Sequence, residues 1–208
     1  MWERSVLEVK RLNRSVNSCL HYVRPVSLNL GHHELNPMLE EAIRVSESRR
    51  GLPGITIRRR LADDLPQFLM DQELLRQVFV NLILNAMEAV GETGHVRIET
   101  ERVEAPGVAS IPYRPSGAAA DDPWREVTHL VEIRIADSGP GIDQDVLDKI
   151  FHPFFTTKQH GSGVGLAVAK KIVSSHRGSI DVTSAPGEGT EIVVRLPMAA
   201  GGGRGLTE

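Results

Sequence analysis

The first 25 residues carry apolar side chains at alternating steps of three and four. These positions are Val9, Leu12, Val16, Cys19 and Val23. This spacing is typical of a helix packed on another helix, so it predicts a helix over residues 2–23 that ends before Pro25. No second helix of this kind follows nearby. We therefore expect its partner helix to come from an adjoining part of a parent protein or from another chain.

Beyond Pro25, some segments alternate apolar and polar residues, and others repeat with a helical period. Asn36 followed by Pro37 is typical of a helix start, and Asp71 is typical of an N-cap. The patterns predict strands over 26–30, 55–61, 95–103, 127–136, 179–184 and 191–196. They predict helices from Asn36 to Val45, from Asp71 to about Val90, over 144–150, and from Leu166 to about His176.

These elements predict an α+β fold, a two-layer α/β sandwich with a mixed, mainly antiparallel sheet and three main helices, preceded by the one N-terminal helix. Residues 104–126 are rich in Pro, Gly and Ala and lack periodicity, so we expect a flexible insertion there. Three regions result. Residues 1–25 form the N-terminal helix, residues 26–198 form the main domain, and residues 199–208 form a disordered tail.

Composition narrows the class of protein. The 208 residues are 40% hydrophobic, enough for a core, and the formal net charge of -3 gives no reason to expect nucleic acid as a partner. The single cysteine, Cys19, excludes an internal disulfide and fits a reducing compartment. Because no apolar run is long enough to span a bilayer, we expect a soluble, cytoplasmic domain that meets a membrane only through a parent chain.

A glycine-rich turn with Gly161, Gly163 and Gly165 leads directly into the apolar-periodic segment that begins at Leu166. Glycines let the backbone approach a bulky group, and the first N–H groups of a helix have no partner within it. The turn therefore predicts an anion site. An ordinary flexible loop is the alternative.

Asn81 and Asn85 lie four residues apart and so share one face of their predicted helix. Amides at such a position can bind phosphate or complete the oxygen shell of Mg²⁺, which often includes substrate phosphates. The alternative is that both side chains cap neighbouring loops.

Two further segments carry groups that can contact a ligand. Asp137 ends a predicted strand ahead of Gly139 and Gly141, where a carboxylate can accept a hydrogen bond from an exocyclic amine and a flat ring can lie against the backbone. A plain turn is the alternative. Residues 151–158 hold three phenylalanines and Lys158. The aromatic side chains would anchor a loop and leave Lys158 to reach a terminal phosphate, or they form only a small hydrophobic cluster.

Taken in chain order, the four segments resemble the N, G1, F and G2 boxes of the ATP-binding catalytic domain of sensor histidine kinases of the nitrogen-regulation type. This domain belongs to the GHKL superfamily with gyrase, Hsp90 and the mismatch-repair ATPases. The matching residues are 77–86, 137–141, 151–158 and 161–166, and residues 186–190 and 196–197 are similar to the end of the domain. The resemblance implies the Bergerat ATP-binding fold, protein histidine kinase activity, and ATP and Mg²⁺ as cofactors.

The resemblance also implies roles for individual residues. Asn85 would coordinate the Mg²⁺ that bridges the ATP phosphates, with Asn81 bonding nearby, and Asp137 would accept the adenine amine. Lys158 would touch the γ-phosphate when residues 143–162 close as a lid. The implied catalytic residues are Asn81, Asn85 and Lys158, and the implied ATP-binding set is Asn81, Asn85, Asp137, Gly139, Gly141, Ile142, Lys158, Gly161, Gly163, Val164, Gly165, Leu166 and Thr190.

The N-terminal helix resembles the last part of the second helix of the family's dimerisation and histidine-phosphotransfer hairpin. The phosphoacceptor would then lie outside this chain, in a homodimer that pairs such helices, and the phosphoryl group would pass to the receiver domain of a response regulator. His33 and the residues after it are similar to the phosphoacceptor motif. They follow the helix that the motif should precede, so we interpret this likeness as a coincidence.

Three alternatives share the nucleotide site. They are a related ATPase that couples hydrolysis to conformational change, a serine kinase of the anti-sigma type, and a degenerate module that engages partners without turnover. The F box and the N-terminal helix favour a histidine kinase over the first two. The intact motifs favour an active site over the third.

Overall fold

The computed structural model describes residues 26–50, 53–104, 124, 127–158 and 161–199. The predicted N-terminal helix over 2–23 lies outside these residues. In chain order the elements are β1 (Gly31–His33), α1 (Leu35–Arg50), β2 (Ile55–Arg60), β3 (Phe68–Met70), α2 (Gln72–Val90), β4 (Gly94–Glu104), β5 (His129–Asp137), α3 (Gln144–Leu147), α4 (Gly165–Ser175), β6 (Ser179–Ser184) and β7 (Thr190–Pro197).

Five strands form one mixed sheet in the order β2-β4-β5-β7-β6. β2 runs parallel to β4, and the other three neighbouring pairs are antiparallel. A second, two-stranded sheet pairs β1 with β3. The predicted two-layer sandwich is confirmed, with α1, α2 and α4 as its main helices and α3 as a short fourth. Among the helices of the described residues, none has the length and apolar character that crossing a membrane requires.

Helix α2 is the centre of the core. The predicted N-cap is confirmed, because the Asp71 side chain accepts a hydrogen bond from the Leu74 N–H, and the helix ends at Gly91. One broad face packs against the sheet and against α1 and α4. The buried residues of that face are Leu75, Val78, Phe79, Val80, Leu82, Ile83, Ala86 and Met87.

The start of the main domain differs from the prediction. Residues 26–30 form no strand; the Asn29 N–H instead donates to Asp71 Oδ2 at 2.8 Å. The strand in this region is β1, which pairs with β3, an element that the pattern did not predict. The expected N-cap at Asn36 is also wrong. The helix begins at Leu35, and the Asn36 amide donates to the Ala62 carbonyl at 2.7 Å.

A small second apolar cluster includes two residues from segments for which disorder was predicted. Trp124 lies within 104–126, and Ala199, at the start of the predicted tail, is only 3% exposed. The prediction is wrong for these two residues because apolar side chains from distant segments cover them. The rest of the insertion after Glu104, apart from Trp124, and the rest of the tail lie outside the described residues. The cluster comprises Trp124, Val127, Leu130 and Ala199, with Leu28, Leu30, Leu69 and Val103 packed around it.

His176 ties the end of α4 to the start of α2. Its Nε2 accepts the Asp71 N–H at 3.0 Å, so in the neutral ring the proton is on Nδ1, which donates to the Ile172 carbonyl at 2.8 Å. Burial lowers the pKa of His176, and the Ile172 carbonyl and the Asp71 charge only partly oppose this effect. The folded protein therefore favours the neutral ring.

We expect this histidine to make stability sensitive to acid. Because the folded pKa lies below the ordinary value of 6.5, the unfolded chain takes up the proton first as the pH falls. Above pH 6.5, titration of His176 should not change the free energy of unfolding. Below pH 6.5, the free energy of unfolding should decrease by at most ~1.4 kcal/mol per pH unit. Urea titrations at neutral and mildly acidic pH would measure the loss. His176→Gln keeps an acceptor and cannot titrate, so it should lose less stability in acid; an equal loss would contradict the assignment.

Candidate functional site

A cavity of about 560 Å³ lies between α2, the ends of β5 and β7, and the segment that leads into α4. All of the predicted ATP-binding residues line it except Gly139 and Val164. Gly139 instead orients the Asp137 carboxylate, because its N–H donates to Asp137 Oδ1 at 2.8 Å. Val164 faces a smaller adjoining cavity of about 170 Å³. Part of the wall of the large cavity is apolar and comes from Ala86, Ala89, Ile135, Val146, Ile150, Val182 and Ile192.

Asp137 supplies a half-buried carboxylate at one end of this cavity. It is the last residue of β5, and the register of β5 and β7 pairs it with Thr190. Burial raises the pKa of Asp137, while hydrogen bonds from the backbone N–H groups of Gly139 and Thr190 act in the opposite direction. The carboxylate retains lone pairs for a ligand, so it can accept a hydrogen bond from an amine.

The loop after Asp137 packs backbone to backbone against the β6–β7 connection. Gly141 has φ 75°, and a Cβ there would overlap the carbonyl oxygen of Ala185, so only glycine fits. The Gly187 N–H also donates to the Pro140 carbonyl at 2.7 Å. This close approach gives the cavity a flat backbone wall beside Asp137.

Ser184 is a residue of this end that the sequence analysis missed. Its Oγ accepts the Ile142 N–H at 2.9 Å, donates to the Gly189 carbonyl at 2.7 Å and lies 3.0 Å from Thr190 Oγ1. Ser184 therefore joins the two loops that flank Asp137. The only signal in the sequence is a hydroxyl at the end of a predicted strand, which is too common to single out.

The two amides of α2, Asn81 and Asn85, both line the cavity, so the predicted shared face is confirmed. Asn81 Nδ2 is buried and has no hydrogen-bond partner among the described residues. A Cβ on Gly165 would come within 2.5 Å of Asn81 Oδ1, so the start of α4 approaches this amide closely. A buried donor without an acceptor is costly, and an anionic oxygen of a ligand would satisfy it.

The far end of the cavity is suited to an anion. Helix α4 has 11 residues, and its N-cap residue, Val164, makes no side-chain capping bond, so its first N–H groups remain available to a ligand. The turn before it is fixed to the F box, because the Phe154 N–H donates to the Gly163 carbonyl at 2.8 Å. Gly163 has φ 65°, and a Cβ there would overlap the Phe154 backbone.

Lys158 contacts the polar edge of α2. Its Nζ donates to Asn85 Oδ1 at 2.8 Å and forms an ion pair with Glu88, a second residue that the sequence analysis missed. Asn85 and Glu88 together offer amide and carboxylate oxygens, which are the ligand types that Mg²⁺ prefers. The donor set therefore fits a hard cation at this edge of α2.

The sequence matches an ATPase family and individual histidine kinases. Residues 70–200 match the family described as histidine kinase-, DNA gyrase B-, and HSP90-like ATPase. The sensor histidine kinase ZraS of Escherichia coli K12 is 36% identical over 191 residues, which cover 92% of this chain and 36% of ZraS. The histidine-protein kinase AtoS of the same strain is 30% identical over 191 residues, which cover 92% of this chain and 28% of AtoS. The chain thus spans about a third of the length of these relatives.

Solved structures share the fold. Full-length ShkA in complex with AMPPNP matches with a TM-score of 0.69 at 24% identity, over 96% of this chain and 40% of that chain. The catalytic domain of the histidine kinase ThkA matches with a TM-score of 0.62 at 25% identity, over 83% of this chain and 97% of that chain. The family predicted from the four boxes is confirmed, and this chain belongs to the histidine kinase-, DNA gyrase B- and HSP90-like ATPases.

Proposed function

We propose that this chain is the catalytic domain of a sensor histidine kinase, which binds ATP with Mg²⁺ and donates the γ-phosphoryl group to a histidine outside the chain. One observation carries the proposal. A single cavity joins a half-buried carboxylate to the uncapped N-terminus of α4, and the two amides of α2 line the same cavity. An adenine amine needs the first group, and a polyphosphate needs the second. The kinase names of the relatives favour this activity over those of gyrase and HSP90.

Recognition of the base would depend on Asp137 and the two loops that Ser184 joins. The Asp137 carboxylate would accept a hydrogen bond from the adenine amine, and Gly141 would let the ring lie against the backbone. Apolar side chains of the cavity, including Ile135 and Ile192, would cover the ring face. The N–H groups at the start of α4 and the preceding glycine turn would bind the phosphates.

The transfer step would depend mainly on positioning and charge neutralisation. Asn85 would hold Mg²⁺, which when bound neutralises charge on the phosphates. Asn81 would donate its unpaired Nδ2 to a phosphate oxygen, and Lys158 would approach the terminal phosphate. These residues would hold the donor in line for an incoming imidazole.

The partners follow from the same proposal. A solved complex of ThkA with the response regulator protein TrrA matches this chain with a TM-score of 0.67 at 25% identity, over 93% of this chain and 49% of that chain. We infer that a receiver domain accepts the phosphoryl group after the histidine. Dimerisation through the predicted N-terminal helix and operation in the cytoplasm, where ATP is available, belong to the same proposal.

Asp137→Asn tests the base site. The carboxylate accepts from the adenine amine but repels the O6 oxygen of guanine, whereas an amide can donate to that oxygen. Titration calorimetry with excess Mg²⁺ should show binding of ATP and much weaker binding of GTP by the unmodified chain. The variant should bind ATP roughly 10- to 100-fold more weakly and lose most of its preference over GTP.

The matched control is Asp181→Asn, which changes an exposed carboxylate on β6 that pairs with Arg195 and does not line the cavity. It should bind both nucleotides as the unmodified chain does. If the unmodified chain bound neither nucleotide, the proposed function would be wrong. If Asp137→Asn kept the preference for ATP over GTP, only the assignment of Asp137 to the adenine site would be wrong.

The proposal also predicts that this chain does not phosphorylate itself. His33 lies in β1 and does not line the cavity, so its imidazole is not presented to a bound nucleotide. After incubation with γ-labelled ATP and Mg²⁺, the chain should carry no acid-labile, base-stable label. Such label on the unmodified chain, absent from His33→Gln, would instead identify His33 as the phosphoacceptor.

A further inference from the structure

We propose that Glu88 belongs to the divalent-cation site, and that the Lys158 ammonium and the cation compete for one position between Glu88 and Asn85. This inference rests on the proposed function and adds a residue to it. Glu88 lies outside the four boxes that identified the site.

The geometry places the two oxygen donors side by side. Glu88 follows Asn85 by three residues on α2, so the two side chains share an edge of the helix, and both line the cavity. The single Nζ of Lys158 contacts both, at 2.8 Å from Asn85 Oδ1 and in an ion pair with the Glu88 carboxylate. Oxygens that share one ammonium need only a small inward shift, or one bridging water, to share a metal ion.

The negative charge of Glu88 affects how a polyphosphate can bind in the cavity. A carboxylate beside a polyphosphate repels it unless a cation lies between the two. Asp137 and Asp143 also line the cavity, whereas Lys158 is the one lysine or arginine among the described residues that do so. Metal-free ATP therefore competes with Glu88 for the Lys158 ammonium, whereas a divalent cation in the place of the ammonium would attract both the Glu88 carboxylate and the polyphosphate.

The Lys158–Glu88 pair is suited to exchange. The side chains are 46% and 38% exposed, and ion pairs this open to water are weak because solvent screens them. A divalent cation carried in with the nucleotide can replace the ammonium at modest cost. Lys158, once displaced, is free to turn toward the terminal phosphate. Lys158 can thus make the observed contact with α2 before the cation binds and the predicted contact with the nucleotide afterwards.

Glu88→Gln separates this role from that of a structural ion pair. Calorimetry would give the ATP affinity in excess Mg²⁺ and in a chelator, and the ratio of the two is the enhancement by Mg²⁺. The substitution removes a metal ligand and also a repulsive charge, so Mg·ATP should bind more weakly and metal-free ATP more tightly. The enhancement should fall roughly tenfold or more.

The matched control is Glu73→Gln, on the same helix. Glu73 pairs with Arg76 at the surface and does not line the cavity, so this change should leave the enhancement as it is. An unaltered enhancement in Glu88→Gln, including equal weakening of both affinities, would overturn the proposal. Failure of the unmodified chain to bind Mg·ATP would instead overturn the proposed function and this inference with it.

Lys158→Met tests the competition directly. With the ammonium removed, Mn²⁺ should bind the nucleotide-free chain several-fold more tightly, as measured by the loss of the free-ion signal in electron paramagnetic resonance. Adding Glu88→Gln should reverse the gain. If Lys158→Met left Mn²⁺ affinity unchanged, the ammonium and the cation would not share a position.

Discussion

The burial of one face of α2 is the constraint on which the site depends. Leu75, Leu82 and Ile83 are fully buried against the sheet and the other helices, so the helix cannot rotate about its axis without exposing them. Truncating one such side chain typically costs about 2–5 kcal/mol, which makes the rotation of the helix well determined. Once that face is set, the helical period fixes where Asn81, Asn85 and Glu88 lie. The buried core thus positions these two amides and the Glu88 carboxylate without the help of a loop.

The N-terminus of α4, which forms the other half of the site, is positioned from the Asp71 end of α2. The Asp71 side chain caps α2, its backbone N–H donates to His176, and its Oδ2 accepts the Asn29 N–H. His176 in turn ends α4, whose first residues line the cavity beside Asn81. The spacing between the α2 amides and the α4 N-terminus is therefore held by hydrogen bonds remote from the cavity. Because burial lowers the pKa of His176, the folded protein favours the neutral ring whose Nε2 accepts the Asp71 N–H.

The sequence predicted what depends on local period and on motif, and it missed what depends on distant partners. β6 has the predicted bounds, and the Asp71 cap is confirmed, because both follow from neighbouring residues. β1 and β3 have three residues each, too few for an alternating pattern, and they exist only because they pair with each other. Trp124 is buried by segments far along the chain. Glu88 resembles an exposed helical charge until Lys158, 70 residues later, is placed beside it.

The loop that carries Lys158 combines a fixed part with an adjustable one. Phe154 has φ 69° and a 55% exposed side chain, a conformation that costs on the order of 1–3 kcal/mol for a residue other than glycine. Its hydrogen bond to Gly163 and the close packing of the two backbones hold it in place. Lys158 lies between these two anchors along the chain, and its side chain contacts α2 through Asn85 and through a weak, exposed pair with Glu88. A change of partner at Lys158 can therefore leave the N-terminus of α4 undisturbed, so the end proposed to bind phosphate is preorganised while the end proposed to bind the cation can adapt.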